Sequence, residues 1–177
     1  MDIIAVLIIF VIVSVLITFT FAGISAAPWV PLWKSDIRRM LKVAKVQDGE
    51  HVYDLGSGDG RILLIAAKEF NAKSTGFEIS VLPFFVSYIK IVIANLKTKY
   101  KIKIKFKSMY AQDLSEADVI TMFLTPMATK KLKPIFSKGL KKGCRIVSYA
   151  FSIPGWEPDE VSKPAKNKTS VYLYKIK

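Results

Sequence analysis

From Ile3 to Ile24 the chain carries no charge, and only Ser14, Thr18, Thr20 and Gly23 interrupt the apolar run. Such a run predicts one helix long enough to span a bilayer. A turn-rich connector follows, with Pro28 and Pro31 bracketing Trp29 and Val30. Trp29 and Trp33 suit the boundary between lipid and water. From Ser35, a candidate cap, Ile37, Met40, Leu41 and Ala44 fall at helical spacing until Gln47-Asp48-Gly49 stops the pattern.

Beyond that stop, short apolar runs alternate with longer amphipathic ones. Strands are expected at His51 to Leu55, Ser74 to Glu78, Ile102 to Phe106, Val119 to Leu124, Arg145 to Phe151 and Ser170 to Ile176. Helices are expected at Arg61 to Phe70, Leu82 to Lys97 and Met127 to Leu140. Alternation of this kind predicts an α/β domain with a mainly parallel sheet and helices on both faces. The polar, lysine-rich stretch Pro158 to Lys168 reads as a loose loop. The expected organisation is an anchor at 1–25, a connector at 26–34 and one α/β domain at 35–177.

Two segments carry unusual patterns. Lys101 to Lys107 alternates strictly, with four lysines on one face and Ile102, Ile104 and Phe106 on the other. That fits an edge strand guarded against aggregation, or a strip facing nucleic acid or lipid. Val81 to Leu96 is apolar almost all round, with Lys90 its only charge. Pro83, Lys90 and the flanking strands favour a helix packed on the sheet, whose excess apolar face touches the membrane or the anchor, over a second span.

Composition refines this picture. A chain of 177 residues holds one domain, and 51% hydrophobic residues beside 27 Lys and Arg places the excess apolar content in the N-terminal run. A cleaved signal peptide would account for Ser25, Ala26 and Ala27, but the start lacks a basic region and the apolar run is too long. Lys34, Arg38, Arg39, Lys42 and Lys45 crowd the C-terminal flank, so a single-pass protein with its domain on the cytoplasmic side is expected. The net charge of +13 admits anionic lipid, nucleic acid or acidic proteins as partners. One cysteine, Cys144, excludes an intrachain disulfide and a multi-cysteine metal site. It falls in an apolar run and reads as a buried small hydrophobe.

The chemistry concentrates at Val52-Tyr53-Asp54-Leu55-Gly56-Ser57-Gly58-Asp59-Gly60-Arg61, where three of nine glycines occupy five positions directly after a strand. Glycines there permit a tight turn and close approach of backbone to a ligand. The pattern departs from a dinucleotide fingerprint, since Arg61 stands where a third Gly or Ala is needed, so a nicotinamide cofactor is disfavoured. Asp54 places a carboxylate at the strand tip, which suits a ligand bearing ammonium and sulfonium groups. Glu78 ends the next strand 24 residues on, where an acid can accept both ribose hydroxyls.

Asp-x-Gly-x-Gly-x-Gly after a strand resembles the first motif of class I S-adenosylmethionine-dependent methyltransferases. With "AAKEFNAKSTGFEI", "SEADVITMFLTP", "LKKGCRIVSYAF" and "PGWEP" in order, the chain from Pro28 to Lys177 resembles the small protein-lysine methyltransferases of archaea and their membrane-anchored mitochondrial relatives. The resemblance implies a Rossmann-like class I methyltransferase sheet, S-adenosyl-L-methionine as methyl donor and a protein with an accessible lysine as partner. It implies that Asp54, Gly56, Gly58, Asp59 and Gly60 surround the methionine moiety and that Glu78 holds the ribose. The family usually has Asp or Asn where this chain has Ser108, so adenine is expected on Met109 and Tyr110. It also tends to have Val-Pro-Thr-Pro where this chain reads Val30-Pro31-Leu32-Trp33.

Methyl transfer from a sulfonium is an in-line displacement that needs positioning and no metal. Thr125 is expected to orient the acceptor amine, with Phe123 and Tyr149 as aromatic walls. Trp156 either lines the acceptor channel or packs in the core. Three rival readings stand beside lysine methylation: a lipid or quinone methyltransferase, suggested by the anchor; an RNA methyltransferase, suggested by charge; and a non-enzymatic adaptor, suggested by Ser108 and Leu32. Nucleic acid is disfavoured because no Asn-Pro-Pro-Tyr motif or aromatic single-strand platform is present.

Overall fold

The computed structural model describes residues 2–25 and 29–177, without the side chains at 19, 21, 22, 24 and 25. Residues 26–28 of the expected connector, and the small residues weighed for cleavage, therefore lie outside the described residues or side chains. The N-terminal run forms helix α1, Ile3–Ser25. Among the described residues no helix is long and apolar enough to cross a membrane.

The domain opens with α2, Lys34–Val43, one residue before the expected Ser35 cap. Trp33, in extended conformation, takes the cap position, and its carbonyl accepts from the Asp36 and Ile37 amides. Then come β1 (His51–Leu55), α3 (Arg61–Glu69), β2 (Lys73–Glu78), α4 (Val81–Ala94), β3 (Ile102–Phe106), β4 (Val119–Met122), α5 (Pro126–Gly139) and β5 (Arg145–Tyr149). A short β6 (Glu160–Ser162) and β7 (Val171–Lys175) close the chain. The expected loose loop thus contains a strand. Arg39 explains its order: one guanidinium nitrogen donates to the Ser162 carbonyl at 3.1 Å and another to the Thr169 carbonyl at 2.6 Å.

The seven strands run in the order β3-β2-β1-β4-β5-β7-β6. β3, β2, β1, β4 and β5 pair in parallel, and β7 runs antiparallel between β5 and β6. Each parallel strand is buried nearly throughout except β3, the sheet edge, where the lysines stand out and Ile102 turns in. Two apolar layers sandwich the sheet. Ile37, Met40 and Leu41 of α2 meet Ile62, Ile65 and Ala66 of α3 on one face, and Leu132 and Phe136 of α5 meet Ile120, Met122 and Ile146 on the other. Helices therefore cover both faces, as expected.

Cys144 is buried, and burial pushes its thiol up to about 12, so it stays protonated near neutral pH and is no nucleophile. Trp156 packs against Phe136 and Tyr174, with ring centroids 6.4 and 6.1 Å away, and takes the packing role of its two expected ones.

Candidate functional site

Strand order reverses between β1 and β4, so the connections leaving these strands diverge to opposite faces and open a crevice at their C-terminal ends. A cleft lies there, lined by the β1–α3 turn and by the residues that follow β2, β3 and β4. Its floor is the turn from β1 to α3. The amides of Gly56 and Ser57 both donate to the Phe77 carbonyl, at 3.1 and 3.0 Å, which hooks the turn over the tip of β2. Gly58 has φ +52°, and a Cβ there would lie 2.8 Å from the Trp29 indole, so only glycine lets the connector close over the turn. Gly60, at φ +75°, stands behind the wall as the left-handed cap of α3, where a Cβ would meet Ser87 Oγ of α4 at 2.2 Å.

Two carboxylates frame this floor. Glu78 accepts from three backbone amides, Gly58 at 2.8 Å, Ile79 at 2.9 Å and Ser80 at 2.7 Å, which fixes the carboxylate at the rim. Asp54 is buried deeper and accepts from Thr121 Oγ1 at 2.9 Å. Burial pushes the Asp54 carboxyl up to about 7, against the Thr121 hydrogen bond and helped by the nearby Glu78 and Asp59 charges. A cationic group placed beside it would favour the ionised form, so the site is matched to a positively charged ligand.

Asp59 has a different surrounding. Arg61 grips both its oxygens, at 2.8 and 2.9 Å, and Lys90 of α4 donates to it at 2.8 Å. Burial pushes Asp59 up, but these two partners outweigh it and hold the carboxyl below its ordinary range. A third guanidinium nitrogen of Arg61 donates to the Leu32 carbonyl at 2.6 Å, tying Trp29–Leu32 across the cleft as a roof. Leu32 thus meets the turn through its backbone carbonyl and not through its side chain. Ser108 caps the short 3-10 turn Met109–Ala111, and Ser108, Met109 and Tyr110 all line the cleft.

The opposite wall rises from the ends of β4 and β5. Phe123 and Leu124 line the cleft, and Phe123 makes an edge contact with Tyr149 at 5.0 Å and stacks towards Phe151 at 6.5 Å. Tyr149 backs the wall without forming it, its hydroxyl donating to Asp36 at 3.1 Å. Thr125 caps α5, its hydroxyl accepting from the Ala128 amide at 3.4 Å, and is not among the residues lining the cleft. Sequence reasoning thus missed the Arg61–Leu32 tie, Lys90 and Lys107, which also borders the cleft. Arg61 was visible as the intruder in the glycine pattern; Lys90 was visible as the lone charge of an apolar helix. Among the described residues, no group of three or more His, Cys, Asp or Glu could hold a metal ion.

The donor set fits S-adenosylmethionine. Glu78 offers a fixed carboxylate that could accept from hydroxyls, Asp54 a buried one that suits positive charge, and the glycine turn an open backbone. Residues 54–160 match the ANTKMT methyltransferase domain. A protein-lysine N-methyltransferase of Saccharolobus islandicus (strain REY15A) is 42% identical, over 84% of this chain and 93% of that protein. An adenine nucleotide translocase lysine N-methyltransferase of Mus musculus is 26% identical over 82% of this chain, which spans only 62% of that protein's length. Among solved structures, an RNA methyltransferase of Salinibacter ruber with bound S-adenosyl-L-homocysteine superposes with TM-score 0.77 at 33% identity, over 83% of this chain and 94% of that one.

Proposed function

This chain belongs to the ANTKMT methyltransferase domain family and is an S-adenosylmethionine-dependent methyltransferase, and on that premise we propose that it methylates lysine ε-amines of proteins from a membrane anchor, with its domain facing the cytoplasm. The observation that carries the acceptor class is the 42% identity to the archaeal protein-lysine N-methyltransferase over nearly all of that protein. The cleft agrees with it. When bound, the cofactor supplies a methyl carbon on a sulfonium.

The chain's own residues do the rest by holding and desolvating. A free lysine titrates at about 10.4 and must lose its proton before attack. Glu78 is held by backbone amides and Asp59 by two cations, so neither is placed as the base. Instead, the apolar wall of Phe123 and Leu124 lowers the amine pKa by desolvation, and the aromatic ring favours the cationic product. Thr125 and Tyr149 serve this wall by fixing α5 and the Phe123 ring.

The anchor reading is supported by α1, whose 23 residues carry no charge and would extend about 34 Å at about 1.5 Å per residue. The basic cluster after it supports a cytoplasmic domain.

A second reading, RNA methylation, is favoured by the name of the Salinibacter neighbour and by the net charge of +13. Incubating the full chain with labelled S-adenosylmethionine and native membrane extract, with Asp54→Ala as control, separates the readings. Label in protein, mapping to lysine and lost in the variant, supports the proposal. Label confined to RNA or lipid overturns the acceptor, and RNA binding that falls steeply with salt would accompany the RNA outcome.

A further inference from the structure

Helix α4 has two opposed faces. Ile91 and Ala94 are buried with Leu63 and Ala67 of α3 and Ile102 of β3, whereas Leu82, Phe85, Ile89, Val92 and Ile93, with Leu96 just past the helix end, are 50 to 82% exposed. At about 100° per residue these six positions fall within a single arc of about 100°. An apolar stripe of this extent marks an interaction surface. Beside it runs the edge strand β3, whose Ile102, Ile104 and Phe106 turn to the α4 side while the exposed Lys103 and Lys105 leave from the other face of the sheet edge, with exposed Lys101 and Lys107 at the two ends of the strand. Phe106 joins the two elements by packing on Phe84 of α4, ring centroids 5.1 Å apart. The stripe contains no acidic group, and the one charge on α4, Lys90, is turned to Asp59.

The position of α4 adds a second constraint. α1 packs against it, and the Val81 amide at the start of α4 donates to Thr18 Oγ1 at 3.5 Å. Thr18 precedes Ile24, the end of the apolar run, by about six residues, or roughly 9 Å of helix. With α1 across a bilayer, that contact pulls the start of α4 to the level of the lipid surface.

We infer that α4 is a second membrane-contact element, lying in the interfacial layer of an anionic leaflet with its apolar stripe among the acyl boundary and the β3 lysines on the headgroups. This rests on the anchor reading of α1 given above. A convex apolar stripe next to α1, with Lys101 held on the Asn95 carbonyl at its end and the other lysines along the adjoining sheet edge, fits a fluid anionic surface. The consequence concerns the cleft, whose rim at Ile79, Ser80 and Lys107 adjoins the start of α4 and the end of β3. Methyl transfer then takes place beside the bilayer, and the acceptors within reach are lysines held close to that surface.

The test uses the full chain in phosphatidylcholine vesicles with or without phosphatidylserine. Because Cys144 is buried, a fluorophore can be placed at Ile89→Cys, at Ile9→Cys in α1, or at the exposed Lys68→Cys of α3. Quenching at 89 by nitroxides near the headgroups, several-fold above that at 68 and stronger with phosphatidylserine, is the expected result. Reversing Lys101 and Lys103 to Glu should reduce quenching at 89 several-fold and leave 9 unchanged. Aqueous iodide reaching 89 as freely as 68 overturns the inference, as does shielding of 89 from both iodide and lipid nitroxides, which would mean a protein cover such as a second copy. Deep acyl-chain nitroxides report on position 9 independently. Deep quenching at 9 without shallow quenching at 89 sinks this inference alone; the reverse removes the anchor and keeps the contact.

Discussion

The two sides of the cleft are built by different means. On the donor side, function lies in backbone geometry and buried charge: positive-φ glycines, three amides on Glu78, and a carboxyl at Asp54 pinned by Thr121. The wall that follows β4 is built by packing, with Phe123 held between Tyr149 and Phe151 and no lining charge from β4. A site made of fixed dipoles and charges tolerates few residue types. A site made of apolar walls tolerates many, and is the easier one to redirect towards a new acceptor.

The sharpest way to break this contrast is Asp54→Asn. It should weaken cofactor binding roughly 10- to 100-fold by calorimetry, as expected for a lost charged interaction of about 1.5–3 kcal/mol. Its effect on the ligand-free fold should run the other way. Burial holds the Asp54 carboxyl neutral up to about 7, whereas in the unfolded chain it ionises at about 4, so wild-type stability falls as pH climbs through that window. The Asn variant lacks that slope, and above pH about 7 its melting temperature should match or exceed wild type. A variant that melts early at pH 8 would mean the carboxylate stabilises the fold and the site is not poised for a cation.

The wild-type protein offers a gentler probe of the same side. Cofactor affinity should rise as pH goes from about 6 to about 8, by less than about tenfold per unit, with a proton released on binding. Titrations in buffers of different ionisation enthalpy would detect that proton. A flat profile removes Asp54 from the binding equilibrium.

Phe123→Leu addresses the opposite wall. The acceptor KM should rise roughly 2- to 5-fold, matching a lost cation–π contribution of about 0.5–1 kcal/mol, while the cofactor Kd stays put. Thr125→Ala should cost about 1 kcal/mol of stability as a lost helix cap, with kcat/KM preserved at a temperature where the variant is folded. A fall in kcat at full folding would return Thr125 to the acceptor site and blur the contrast.

The same contrast governs what could be read from sequence. β1, β2 and β3 were legible to within a residue, β3 from its strict alternation of apolar residues and lysines, and β1 and β2 from the helical patterns and turn residues on either side. Asp54, Gly56, Gly58 and Glu78 were legible because their chemistry forces particular residue types at fixed spacing. The short β6 was not, since Glu160-Val161-Ser162 has no pattern of its own and is held by β7 and by Arg39 from far along the chain. Ser35 looked like a cap, but helix α2 starts before it and Asp36 is turned to Arg39 and Tyr149. Thr125 looked catalytic because a hydroxyl at a strand tip can serve either an amine or a helix end, and only the position of α5 decides which.

The Arg61 tie has a mechanical meaning as well. One guanidinium fastens Leu32 to Asp59, so Trp29–Leu32 and the turn beneath share a single joint, and part of the roof's ordering entropy is lost on folding. Roof and floor of the cleft are thereby coupled: a change that shifts the glycine turn also shifts the wall above it.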